Sequence, residues 1–317
     1  MKWPAINLDE QSKALLNRLD EKLSVLKKLR PLPVSALKRI TNELSIEWTY
    51  NSNSIEGNTL TLQETKMVLQ DGITVRGKSL REHFEAVNHF EAVQFIESIV
   101  HPHYLITEYD ILHTHSLVLD KIEKDYAGRF RNAGVRITGA NFTPPNALKV
   151  YELMHELMKW TNNAANDLHP VIRATIFHHR FVWIHPFFDG NGRTARLLYN
   201  LLLMKEGFPP AIILRNDRKK YYNALNQANE GDYNKLILLI CQAVERSLNI
   251  YISTFDNYAD EYRSISDIVA EEHIPYGQEY LSLLARRGVI DAYKEGRVWY
   301  TTNEAIKTYM SNRKRKH

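Results

Sequence analysis

The densest group of reactive side chains in the sequence is His185-Pro186-Phe187-Phe188-Asp189-Gly190-Asn191-Gly192-Arg193-Thr194-Ala195-Arg196. Pro186 and the two glycines force a tight, non-helical connection between two strongly helical stretches. Around Gly190-Asn191-Gly192 the backbone can take positive φ, so successive N–H groups can converge into an anion-binding nest. A helix beginning at Arg193 turns its positive end to the same point. Arg193 and Arg196, three apart, share a helix face and can both reach a polyphosphate. Asp189 is a hard oxygen ligand, suited to one Mg²⁺ that also binds phosphates. His185 titrates near neutrality and can take a proton from an attacking hydroxyl. Phe187 reads as the apolar anchor of the loop. Phosphoryl-type chemistry depends on positioning and charge neutralisation, and these residue types supply both.

Plainer readings compete. Taken alone, His185 reads as a capping or core histidine; the intact loop around it turns the reading to catalysis. His178, His179 and His185 invite a zinc site, but adjacent histidines point to different helix faces. No Glu completes a His-Glu-x-x-His pattern either. Tyr221 and Tyr222 read equally well as packing aromatics. Cys241 is the sole cysteine, which rules out an intramolecular disulfide and a Cys-rich metal site. Its place in the apolar run 236–244 predicts a buried structural thiol.

The elements that must position this loop are mostly helices. Leucines at 15, 16, 19, 23, 26 and 29 mark one helical face over 12–29, stopped by Pro31 and Pro33. Further helices are predicted over 34–52, from a capping box at Thr61–Glu64 towards Leu69, and over 79–99 and 107–119. Between Gly128 and Pro145, Val135, Ile137 and Phe142 alternate with polar residues around glycines, which predicts a β-hairpin flap. Helices resume over 147–162, 170–184, 193–206, 219–229 and 233–251. Beyond Tyr258 two short helices (264–271, 277–287) precede strands at 292–293 and 298–300 around a Glu295-Gly296-Arg297 turn. That pattern resembles a winged helix, with Trp299 in the wing's core. The fold class is therefore mostly α, a helical bundle with a hairpin flap and a small winged-helix domain. The expected divisions are 1–110, 111–257 and 258–317.

The loop resembles the Fic family, whose motif is His-Pro-Phe-x-Asp/Glu-Gly-Asn-Gly-Arg with a second Arg three residues on. Every position from His185 to Arg196 matches. The resemblance implies that His185 is the general base and Asp189 the Mg²⁺ ligand. It further implies that Gly190, Asn191, Gly192 and Arg193 hold the α- and β-phosphates of ATP, with Arg196 on the γ-phosphate. A hydroxyl would strike the α-phosphorus and expel pyrophosphate. Ser52-Asn53-Ser54-Ile55-Glu56-Gly57-Asn58 is similar to the family's inhibitory motif, here on a helix over about 45–58. Ser52 and Glu56, four apart, share a face, and Glu56 would pair with Arg196. Arg136-Ile137-Thr138-Gly139 is similar to the flap that borders the nucleotide and aligns a target segment by β-pairing. Tyr222 and Asn229 would line the adenine pocket.

The resemblance implies a protein adenylyltransferase acting on a Tyr, Thr or Ser hydroxyl of a target protein and on itself, with ATP as substrate and Mg²⁺. Family members also transfer UMP, phosphocholine or phosphate, and Gly192 stands against the phosphate-transferring variant, which has Lys there. A de-AMPylating enzyme, with Glu56 orienting a water, uses the same residues. A homodimer is a further expectation. From another class, the alternative is a DNA-binding regulator acting through the winged helix. Residues 281–317 hold nine Lys/Arg against three Asp/Glu, although Arg286, Arg287 and the tail Arg313–Lys316 also suit a solvated face. The net charge of +4 over 317 residues does not by itself argue for nucleic acid. The 44% hydrophobic and 25% charged content fits a globular chain. The N-terminus lacks a signal-peptide stretch, and no run approaches the ~18 apolar residues of a membrane span. A cytoplasmic protein with no membrane partner is expected.

Overall fold

The computed structural model describes residues 3–137, 139–165, 167–254, 262–271 and 274–314. Thr138, the 257/258 division, His273 and the tail residues Arg315 and Lys316 lie outside them.

Among the described residues ten α-helices precede the C-terminal unit: α1 (Glu10–Leu29), α2 (Val34–Ile55), α3 (Leu62–Lys66), α4 (Leu80–Ile99), α5 (Glu108–Leu119), α6 (Val150–Lys159), α7 (Pro170–Ile184), α8 (Asn191–Lys205), α9 (Arg218–Asn229) and α10 (Asn234–Ser253). Their starts follow local chemistry. Asp9 accepts from the Ser12 N–H at 2.7 Å to cap α1. Capping boxes open α3 (Thr61/Glu64), α4 (Ser79/Glu82) and α5 (Thr107/Asp110). Pro170 occupies the first turn of α7, where a missing N–H costs nothing. Beyond α3 the chain winds one π turn, Met67–Asp71, and stops at Gly72 in the left-handed region.

The centre of the bundle is the pair α7 and α8, joined by the 185–190 loop. Residues 193–203 of α8 are all buried, as befits a helix enclosed on every side. Its leucines share one core with Leu15, Leu19 and Leu26 of α1, Trp48 and Ile55 of α2, and Val93 and Ile96 of α4. Helices α1, α2 and α4 thus contribute to the same core as the bundle that follows them. α10 is long and apolar enough to cross a membrane by length and composition, but 67% of its apolar window is buried in this core. Cys241, on α10, is free and fully buried, and burial pushes its thiol pKa up.

The segment 128–145 is extended rather than helical and forms no ladder of its own among its described residues. Its hydrogen bonds run instead to the elements it crosses, as described below.

The C-terminal unit has its own core around Ile268, Leu281 and Ile306. It contains β1 (Arg263–Ser264), α11 (Ile265–Glu271), α12 (Gln278–Arg286), β2 (Ala292–Glu295), β3 (Val298–Thr301) and α13 (Asn303–Lys314). The sheet order is β1-β3-β2, antiparallel throughout, with Tyr293 opposite Tyr300 and Lys294 opposite Trp299. β1 and α13 are additions to the sequence-based reading. Charged contacts fasten the unit to the bundle. Lys22 of α1 reaches Asp291 at 2.5 Å, and Lys294 of β2 reaches Asp217 at 3.0 Å. Arg246 of α10 spans the two bodies, donating to the Lys294 carbonyl at 3.0 Å and to Glu47 of α2 at 2.8 Å.

Candidate active site

His185 ends α7 in the left-handed region, φ 51 and ψ 61, and its N–H donates to the Phe181 carbonyl. Gly190, φ 73, caps α8 in the same region. The two reversals bring the C-terminus of α7 and the N-terminus of α8 to one corner. Asn191 closes the loop: Nδ2 donates to the Phe187 carbonyl at 2.8 Å and Oδ1 accepts from the Phe187 N–H at 2.9 Å. Its side chain is thereby committed to the loop, so its contribution to an anion is its backbone N–H. With Gly192 and Arg193 it forms the first turn of α8, whose N–H groups have no intrahelical partner.

Arg193 and Arg196 are both buried, 3% and 2% exposed. Arg196 donates from Nε to Ser52 Oγ (3.0 Å) and from Nη2 to the Ser52 carbonyl (2.8 Å) and Glu56 Oε1 (2.7 Å). Burial opposes its charge, but Glu56 together with Tyr221 and Tyr222 outweighs that and raises its pKa. Glu56 sits one residue past the end of α2, still helical in backbone, so it shares a face with Ser52 as the spacing predicts. The end of α2 is itself held, because Arg218 Nε donates to the Ile55 carbonyl at 2.6 Å. Gly192 lies directly beneath the Glu56 carboxylate: a Cβ there would stand 2.2 Å from Oε1. Arg193 approaches Asp189 at 3.3 Å and Glu85 at 3.5 Å. Arg193 Nε and Arg196 Nη1 are buried with no acceptor, an unusual state that an anion entering the corner would relieve.

Asp189 is half-exposed and takes Arg81 on Oδ2 at 3.1 Å and the Gly190 N–H on Oδ1 at 2.6 Å. Burial works against its charge, but Arg193, the Gly190 N–H and Arg81 hold its pKa below the usual range. No group of three or more potential metal ligands exists among the described residues. A single half-exposed carboxylate beside free N–H donors fits Mg²⁺, which is held by one or two carboxylates plus substrate phosphates rather than by an all-protein cage. His185 lies in a largely buried setting that lowers its pKa to about 4; the Val182 backbone, Glu56 and Asp189 pull the other way, while Arg131 adds to the lowering. Its imidazole is neutral at pH 7 and able to accept a proton.

Two polar residues bonded to the loop were absent from the sequence-based reading. His115, on α5, accepts from the Gly128 N–H at Nδ1, so Nε2–H donates to the Asp189 carbonyl, both at 3.0 Å. Its ring stacks on Phe187 at 3.5 Å between centroids, and burial lowers its pKa to about 4. Arg131 joins the start of the flap to the backbone of His185, Ile184 and Pro145. Neither belongs to a contiguous motif; the one available signal for each was a polar residue in an otherwise apolar or flap context.

The flap tip lies on α9. Asn226 Nδ2 donates to the Gly139 carbonyl at 3.4 Å, and Asn141 Nδ2 to Glu230 at 3.0 Å. Arg136 is exposed and Ile137 half-buried. Asn229 is occupied at both ends, accepting from His179 Nε2 at 2.9 Å and donating to Asn141 at 3.1 Å. It links the core to the flap. Tyr222, on α9, reaches the end of α2, its hydroxyl 3.5 Å from the Ile55 carbonyl and its ring under Arg218 at 4.9 Å. His178 pairs with Tyr221 at 2.8 Å, and Tyr233 donates to His179 at 2.6 Å.

A sequence profile described as "Fic/DOC family" matches residues 105–203. The chain is 39% identical over 246 residues to "Protein adenylyltransferase Fic" of Drosophila mojavensis, covering 77% of this chain and 48% of that protein. It thus spans about half the length of the curated relatives it matches. Among solved structures it is similar to a fragment of Fic-1 from C. elegans, with 34% identity, a TM-score of 0.69, and coverage of 77% of this chain and 72% of that one. A Fic family protein from Desulfovibrio desulfuricans matches at 25% identity and a TM-score of 0.67, over 96% of this chain and 98% of that chain.

Proposed function

The chain belongs to the Fic/DOC family, and we propose that it transfers AMP from ATP to a Tyr, Thr or Ser hydroxyl of a target protein and of itself, restrained by its own Glu56. The observation that carries this reading is the pair of buried arginines at the N-terminus of α8. Each has an unpartnered N–H, and one is held by Glu56 at 2.7 Å. In the proposed reaction neutral His185 accepts the hydroxyl proton, and the oxygen forms a bond to the α-phosphorus. The bond to the β-phosphate oxygen breaks, and pyrophosphate leaves with its electron pair. The N–H groups of Asn191, Gly192 and Arg193 hold the α- and β-phosphates, and Arg196 takes the γ-phosphate once Glu56 withdraws. A Mg²⁺ held by Asp189 would supply further neutralisation of the phosphates. Tyr222 offers an aromatic face to the base, while Asn229 acts through the flap.

The test uses ATP labelled at the α-phosphate with wild type, Glu56→Gly and His185→Ala. The expected pattern is faint protein labelling, strong labelling and none. Loss of a general base costs about 10²–10⁴ in rate. Equal labelling of all three proteins would refute the reading.

For the C-terminal unit we propose a winged-helix-like module that docks on the bundle rather than a DNA reader. Its hairpin tip is engaged internally, with Asn216 Nδ2 donating to the Gly296 carbonyl at 3.0 Å and Lys294 on Asp217. Gln242 of α10 holds the end of α12 through the Ala285 and Arg286 carbonyls. Absence of salt-dependent binding to duplex DNA is expected; a steep salt slope would overturn this.

A further inference from the structure

His185 occupies a backbone conformation that residues with a Cβ avoid, and something must hold it there. The loop contains no disulfide or second proline to do so. What meets it is Arg131, 2% exposed, at the base of the flap. Its Nε donates to the His185 carbonyl at 2.7 Å and Nη2 to the Ile184 carbonyl at 3.4 Å. Nη2 also donates to the Pro145 carbonyl at 2.6 Å, and Nη1 to the Ala133 carbonyl at 2.9 Å. The Arg131 N–H donates to the Pro186 carbonyl at 2.9 Å. One residue therefore bonds the carbonyls of Ile184, His185 and Pro186 in succession, and both ends of the flap as well.

We infer that Arg131 is a positioning residue for the reaction: it locks the left-handed turn at His185 and so aims the imidazole at the acceptor hydroxyl. The inference rests on the AMP-transfer reading above. All the partners named for Arg131 are carbonyls, so it touches no group assigned to the phosphates. The planar guanidinium matters because several donors in a fixed fork must meet carbonyls at different angles. A cation at the C-terminus of α7 also complements the helix dipole. Its charge has no carboxylate partner within ion-pair distance among the described residues, and it favours the neutral, proton-accepting imidazole. The other charges facing His185 are Glu56 from the end of α2 and Asp189 from the loop, both acting in the opposite sense.

The test places Arg131→Met and Arg131→Lys in the Glu56→Gly background and follows AMP transfer against ATP concentration and pH. In Arg131→Met, kcat falls about 10- to 100-fold, the scale of a misplaced catalytic group, while KM for ATP stays within about twofold. Its acid limb moves to higher pH, because removing a nearby cation lets the imidazole hold its proton longer. Arg131→Lys keeps the charge and therefore the limb, but without the fork it restores kcat only in part. Parent-like kcat and pH profile in Arg131→Met, or parent-like kcat in Arg131→Lys, overturns the inference. So does an equal fall in both variants with no shift of the limb, the mark of a purely structural role. If Arg131→Met does not fold, the kcat of Arg131→Lys decides. If the Glu56→Gly parent itself transfers no AMP, the functional reading fails separately. The placement of Arg131 is then tested by ¹⁵N NMR titration of His185, whose midpoint rises in Arg131→Met if the inference holds and stays fixed if it does not.

Discussion

Glu56→Gln keeps the shape of the side chain at the end of α2 and removes its charge. Arg196 is 2% exposed, and Glu56 is its sole carboxylate partner among the described residues. Breaking a fully buried pair costs about 3–5 kcal/mol. The Glu56 side chain is 33% exposed, and water screening reduces the figure to about 1–2 kcal/mol. With an unfolding entropy of about 2.1 cal/mol/K per residue over 317 residues, the variant melts roughly 1.5–3 °C below wild type. In the proposed function the same contact opposes ligand. On the reading proposed above, a triphosphate must displace Glu56 before it reaches Arg196, so the variant binds ATP about 5- to 30-fold more tightly. Scanning calorimetry without nucleotide and titration calorimetry with a non-transferable ATP analogue and Mg²⁺ measure the two halves. Lower stability with tighter binding is the expected pair. A variant as stable as wild type that binds the analogue no better would refute the assignment of Glu56 as a counter-ion that competes with nucleotide.

Acid stability follows from the buried histidines. His115, His179 and His185 have pKa values lowered to about 4, and His178 to about 3, in each case first by burial. A folded pKa below the unfolded value near 6.5 means that the unfolded chain binds more protons between pH ~4 and ~6.5. Stability then rises with pH by up to ~1.4 kcal/mol per pH unit for each such group. Denaturant midpoints are therefore expected to drop steeply below pH ~6 and to level off above pH ~7; a flat profile would refute the buried neutral assignment. Gly190→Ala places a Cβ 3.3 Å from the His115 ring at a backbone φ of 73°, and is expected to cost at least about 1–2 kcal/mol, read as a lower denaturant midpoint with slower AMP transfer. Arg246→Met cuts the bridge from β2 to Glu47 on α2. Hydrogen exchange over residues 45–56 is expected to quicken and basal self-labelling to rise; unchanged protection there would show that the C-terminal unit does not brace α2.

The loop was legible as a candidate site because its motif is contiguous: a glycine pair, two arginines three apart and a histidine before proline fall in one short run. Helix extents were legible where capping residues meet apolar periodicity, as at Thr107 and Pro170. Other features were not, for identifiable reasons. β1 has two residues and exists only because β3 passes beside it. α13 carries a polar sequence whose helicity depends on Ile306 reaching the second core. Asn229 reads as a binding residue by position, yet its amide is committed to His179 and Asn141, which only the approach of the flap reveals. Arg131 and His115 act through contacts 54 and 74 residues away in sequence, and nothing local distinguishes them from ordinary polar residues.

Burying Arg193 and Arg196 at a helix N-terminus is costly for a chain with no ligand present, since the α8 dipole and both cations repel there. The fold answers with carboxylates from other elements, Glu85 from α4, Asp189 from the loop and Glu56 from the end of α2. Of these, Glu56 alone lies over the Gly192 Cα, in the space where, on the proposed function, phosphate approaches the backbone. On the reading proposed above, its restraint of the site and its support of the folded state are therefore one contact. A ligand that displaces it must return negative charge to Arg196 and also reach the orphaned Nη1. A triphosphate terminus has the charge and the oxygens for both, whereas a neutral or singly bonded group would leave a buried cation short of partners. This is a physical reason for the site to select polyphosphates, and for any signal that releases Glu56 to act more strongly when ATP is present than when it is absent.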